Sequence, residues 1–274
     1  MALADLGQLA GWMAFDAGQH GLAQRYFFTG LRATYDAGYP AMAAHILADL
    51  SFQAATRGHS SDAIRLGEAA RRQAARSSAG VRASVDSRLA YAYASAGQLD
   101  AFERAYASAA EKLATRDPAD DPPWLYYLTP NHLDCQAGYA LVLAGRGQLT
   151  AGHRTGRETL RRGSALLRTG AHRVPYDDGS QRRALYEGAW LSLAYSAYGD
   201  LERACAEART AITRLEFVRS PRSNELLRQL SSDFRRRVRN PHVADLLPDL
   251  DRALAAQPPG PRAIPAGGHG ARQN

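Results

Sequence analysis

The stretch "AGWMAFDAGQHGLAQRYFFTGLRATYDAGY", residues 10–39, reads as two helical patterns folded about Gly18. Large side chains recur at helical spacing on both sides of the glycine, and alanines and glycines fill the positions between them. A chain that repeats this unit builds a helical array, so a search for internal periodicity comes first. The unit returns in "AATRGHSSDAIRL", "YASAGQLDAFERAY", "VLAGRGQLTAGHR" and "AYGDLERACAEA". The turn glycines are Gly18, Gly58, Gly97, Gly145 or Gly147, and Gly199.

Five residues after the glycine stand Ala23, Ala63, Phe102 and Ala204, where the second helix crosses the first. Phe27, Gly67, Tyr106 and Ala208 follow one turn later, and Gly30, Ala70, Ala109 and Ala211 one turn beyond those. Small residues there let paired helices approach backbone to backbone, and the Ala content favours helix throughout. No stretch alternates as a strand would.

This pattern resembles the tetratricopeptide repeat in degenerate form. Its first-helix signature of Leu, a small residue and Tyr stands as Leu89, Ala90 and Tyr93, and again as Leu191, Ser192 and Tyr195. Successive turn glycines are about 40 to 50 residues apart rather than the usual 34, so longer connections are expected. The resemblance implies an all-α, right-handed solenoid of about five hairpins plus C-terminal capping helices, spanning 1–256. Residues 257–274, "QPPGPRAIPAGGHGARQN", lack apolar periodicity and are expected to form a disordered tail. Prolines and paired acids in "TRDPADDPPWLYYLTPNHLD" stop a helix after Leu113, and "HRVPYDDGSQ" (172–181) makes a second break.

A narrower likeness lies in "LGQLAGWMAFDAGQHGLAQRYFFTGL", "AHILADLSFQAATRGHSSDAIRL" and "PPWLYYLT". These resemble the C-terminal repeat region of actinobacterial XRE-type regulators, in which a helix-turn-helix domain precedes such repeats. Met1 stands only a few residues before the first repeat helix, so the expectation is a sensor half without its DNA reader.

Composition narrows the function further. The net charge is +7, but Lys112 is the only lysine and the arginines interleave with acids along helices. Even the run Arg235, Arg236, Arg237 and Arg239 has Asp233 beside it, the pattern of a solvated face rather than a nucleic-acid surface. No direct nucleic-acid binding is expected. Cys135 and Cys205 stand far apart and read as reduced, buried thiols. With no signal peptide and no long apolar run, a cytoplasmic protein without membrane contact is expected.

First helices of such an array line its concave face. On that face the register puts Trp12, Phe15 and Asp16, then His45, Asp49 and Phe52, then Tyr91, His132, Tyr139 and Tyr186. Aromatic walls with a few polar groups suit a small molecule or peptide, although each aromatic at helical spacing equally suits a core. The leading expectation is a non-catalytic regulatory or sensor module, linked to transcription or specialised metabolism. Its expected partners are a small-molecule or peptide ligand or a protein. A separate DNA-binding protein and a second copy of the chain are further candidates.

The alternative is an enzyme of specialised metabolism with groove His and Asp residues as acid/base groups or metal ligands. His45 and Asp49 share a helix face, but HExxH, a metal-spaced Cys pair, a P-loop and a nucleophile elbow are all missing. No metal or cofactor is expected.

Overall fold

The structure, a computed structural model, describes residues 1–172 and 178–257. Among these are twelve α-helices and no strand. They run α1 (Ala2–Asp16), α2 (His20–Asp36), α3 (Pro40–Thr56), α4 (Ser60–Gln73), α5 (Ala79–Ser95) and α6 (Leu99–Ala114). After two 3₁₀ turns come α7 (Pro130–Thr150), α8 (Gly156–Ala171), α9 (Asp178–Tyr198), α10 (Leu201–Leu215), α11 (Pro221–Arg235) and α12 (Pro241–Ala255). The expected tail lies outside the described residues, except for Gln257 at its start.

One turn chemistry closes each of the first five hairpins. Gly18, Gly58, Gly97, Gly152 and Gly199 all have positive φ, between 73° and 96°. At each, the glycine N–H bonds the carbonyl three residues back and the next N–H the carbonyl five back, as in Gly18 to Phe15 and Gln19 to Ala14. This closure satisfies the last carbonyls of the helix and needs a left-handed residue, which glycine adopts without strain. Gly38, joining the first hairpin to the second, does the same at φ 60°.

The fourth turn differs from the sequence reading. Gly145 and Gly147 lie inside α7, and Gly152 makes the turn. Gly145 serves helix contact instead: a Cβ there would lie 2.8 Å from Leu160 Cγ and 3.0 Å from the Gly156 carbonyl of α8. A glycine conserving space and a glycine permitting a turn look alike in sequence.

Each odd helix packs on the even helix after it, and the odd helices also touch in series, α1 on α3, α3 on α5, and so on to α11. The residues at the crossings are fully buried, Ala23, Ala63 and Ala204 as small side chains and Phe102 as a large one. Two hairpins share one further contact: Ser51 Oγ donates to the Ala63 carbonyl, and Ser192 Oγ to the Ala204 carbonyl, both at 2.7 Å. Each hydroxyl thereby satisfies itself between helices too close for a larger side chain. α6 stops at Ala114, one residue beyond the expected limit, and α9 begins at Asp178 inside the expected second break, of which residues 173–177 lie outside the described residues.

Candidate functional site

The layer of odd helices carries the candidate residues on its inner side, where they meet one another. Gln8 on α1 reaches α3, its amide nitrogen 2.8 Å from Asp49 Oδ2 and 3.1 Å from His45 Nε2. His45 also stacks on Trp124, ring centroids 4.4 Å apart. Burial holds the imidazole below the usual histidine range, while the neighbouring Asp49 and Arg88 charges pull in opposite directions. Neutral imidazole fits the contact, because Nε2 then accepts from the Gln8 amide. Asp49 in turn lies 3.3 Å from Arg88 on α5, and both are buried.

Arg88 opens an aromatic and guanidinium stack. Its guanidinium carbon stands 4.5 Å from the Phe52 ring centre and 4.9 Å from that of Trp12. Arg222, from α11, stands 5.5 Å from Trp12 and 4.1 Å from Tyr186 on α9. Phe15 and Phe52 meet edge to face, and Phe52 packs on Tyr91 at 4.7 Å. Such cation–ring contacts are each worth about 0.5–2 kcal/mol when shielded from water. Asp16 ties the stack together: its carboxylate pairs with Arg182 on α9 and lies 3.2 Å from Arg222 Nε. The first helical pair is thereby joined to the last.

Further along the layer, Ser87 donates to Gln136, whose amide meets His132 at 2.8 Å. His132 packs edge-on against Tyr127. Tyr139 donates to Glu187 at 3.2 Å, and its ring contacts Tyr186 and Trp190. Glu187, fully buried, also pairs with Arg183. Burial, with Glu187 beside it, pushes the Cys135 thiol up to about 12, so it stays protonated and unreactive.

Eight of the ten candidate residues are buried, and Trp12 and His132 are half-buried. They face each other across the inner layer rather than an open trough. Clefts on the outside, such as one between α10 and α12 lined by Arg209, Leu215, Asp249 and Arg252, contain none of them. What the inner layer does leave open is hydrogen-bonding capacity. Arg88 Nη1, Glu187 Oε2, Trp190 Nε1 and Asn224 Oδ1 are all buried without a hydrogen-bond partner. Among the described residues no three His, Cys, Asp or Glu side chains stand together as a metal site.

Sequence reasoning missed the charged half of this cluster. Arg88, Arg182, Arg183, Glu187 and Arg222 read as solvated helix surface within an Arg-rich composition. The usable signal was local: Glu187 in "ALYEGAWLSLAY" is flanked by apolar neighbours and Arg88 in "VDSRLAYAYA" leads directly into an apolar run, which a solvated helix face does not provide. Arg222 offers no such signal. Asp16, expected on the concave face, spends its carboxylate on Arg182 and Arg222. No family model matches this sequence, and no curated protein is similar to it.

Proposed function

We propose that the chain is a right-handed solenoid of degenerate tetratricopeptide-like hairpins, akin to the repeat region of actinobacterial XRE-type regulators, and that it works as a non-catalytic sensor. The ligand is a small molecule or short peptide, or a segment of a protein partner, and it enters the inner layer between α1, α5, α9 and α11. One observation carries this reading: Arg88 and Arg222 both stack on Trp12, deep among aromatic rings, beside buried polar atoms that lack partners. A buried donor left unsatisfied costs about 1–3 kcal/mol, and more if charged, so a ligand supplying acceptors to Arg88 Nη1 and Trp190 Nε1 is favoured there. Binding at Arg222 competes with its contact to Asp16 and so bears on the join between first and last pairs. Differential affinity for the joined and parted states is what a sensor requires.

Native mass spectrometry of the chain purified from its own host tests this. A small molecule or peptide bound in stoichiometric amount to the wild type, and lost from Arg88→Met, is the expected result. A chain that carries nothing, and whose melting temperature no member of a metabolite panel raises, would overturn it.

A further inference from the structure

The outer faces of α1 and α12 differ in chemistry. α12 meets solvent with His242, Asp245 and Arg252 and with the half-buried Asp249, a polar outer face. α1 does the opposite. Leu3, Leu6 and Met13 are 59–63% exposed, and with the half-buried Ala10 they fall at i, i+3, i+7 and i+10, one stripe along the helix. Leu9 flanks the stripe at 53% exposed, and Tyr26 of α2 adds 40% of its surface. The buried residues Ala4, Gly7, Gly11 and Ala14 are committed to the interior, with Gly7 against Gly30 and Gly11 against Phe27 of α2. The stripe itself contains no charge. The two acids of α1 lie elsewhere: Asp16 is buried on Arg182 and Arg222, and Asp5 sits at the edge that carries Gln8 and Trp12.

We infer that this face of α1 seats a second copy of the chain, α1 packed antiparallel on α1 about a two-fold axis. Head-to-tail stacking is disfavoured, because it would press these leucines onto the charges of α12 without partners. The chain carries +7, so two copies repel wherever arginines face each other. They meet most cheaply where neither carries charge. The stripe is also self-complementary in size: antiparallel pairing sets Leu3 against Met13 and Leu6 against the small Ala10. Its apolar area is on the order of 500 Å², the upper range of what monomers leave in water. Two such faces together reach the roughly 1,000 Å² that a specific interface requires. A two-fold contact closes on itself, which uses up the face and leaves no edge for further growth.

Sedimentation velocity of the full chain at rising concentration tests the inference. The wild type should pass from monomer to dimer. Leu6→Glu combined with Met13→Glu should raise the dissociation constant by at least about thirtyfold, the size of an interface hot spot. Both side chains are exposed in the single chain, so the double variant keeps its helical circular dichroism; should it not, Leu6→Ser carries the same expectation. Phe28→Glu, an exposed aromatic on the opposite flank of α2, should leave dimerisation unchanged. A wild type that stays monomeric throughout, or a double variant that dimerises as tightly, overturns the inference.

Discussion

Asp16 Oδ1 lies 3.2 Å from Arg222 Nε, an ion pair that holds α1 against α11 although most of the chain separates them in sequence. Arg182 joins the same carboxylate from α9. One acid thus serves two guanidiniums at the meeting of the first and last helical pairs, beside Trp12 and Tyr186.

Replacing that acid should loosen the join. Asp16→Asn keeps the shape and removes the charge, and hydrogen bonds to charged groups are worth about 1.5–3 kcal/mol. Stability should fall by about 2 kcal/mol, seen as a lower urea midpoint with an unchanged slope. Small-angle scattering of the variant should show a larger radius of gyration. An unchanged radius would mean that packing of Trp12 alone keeps the ends together.

Glu187 gives a sharper test of buried charge. Its carboxylate is fully buried, paired with Arg183 and hydrogen-bonded by Tyr139. Arg183→Met strands the acid and should cost about 3–5 kcal/mol. Adding Glu187→Met removes the stranded charge and should recover most of that loss. Guanidinium denaturation of both variants decides it, and a double variant no more stable than Arg183→Met would refute the argument.

His45 makes stability depend on pH in a stated direction. Its folded-state affinity for a proton lies below that of an unfolded histidine, chiefly because the ring is buried. Between the two values the unfolded chain binds more protons, so stability rises with pH there. Stability is therefore complete above the ordinary histidine pKa of about 6.5 and is lost as pH falls below it. His20, shifted down by burial and by Arg57, adds in the same sense. Melting temperatures measured from pH 7.5 to 5.5 should fall for the wild type and fall less for His45→Gln.

Two glycines of α7 should respond oppositely to the same change. A Cβ on Gly145 meets Leu160 at 2.8 Å and the Gly156 carbonyl at 3.0 Å, and Gly145→Ala should cost about 1–3 kcal/mol. A Cβ on Gly147 meets nothing within 4 Å, and Gly147→Ala should gain about 0.5–1 kcal/mol from helix propensity. Thermal denaturation of the pair checks both signs at once.

These glycines also mark how far the sequence could be read. The hairpins were legible because three demands leave marks in residue type: a left-handed turn asks for glycine, a close helix crossing for Ala or Gly, and a helix stop for proline. Gly18, Gly58, Gly97 and Gly199 met the first demand alone. Gly145 met the second demand and Gly147 neither, and the turn fell beyond both at Gly152. The inner residues were legible as members of one face, since helical spacing fixes direction. Their partners were not. Which arginine meets Asp16 depends on how the nine helices between α1 and α11 sum their packing angles, and no local pattern encodes that sum.

The join between Asp16 and Arg222 also changes how the molecule should come apart. An open series of repeats unfolds piecemeal, because each unit answers only to its neighbours, and its termini fray first. A contact spanning nearly the whole chain raises contact order and defers its reward until the final pair has docked, so folding slows while unfolding gains cooperativity. Native-state hydrogen exchange should accordingly give amides of α1 and α11 nearly the protection of the middle helices.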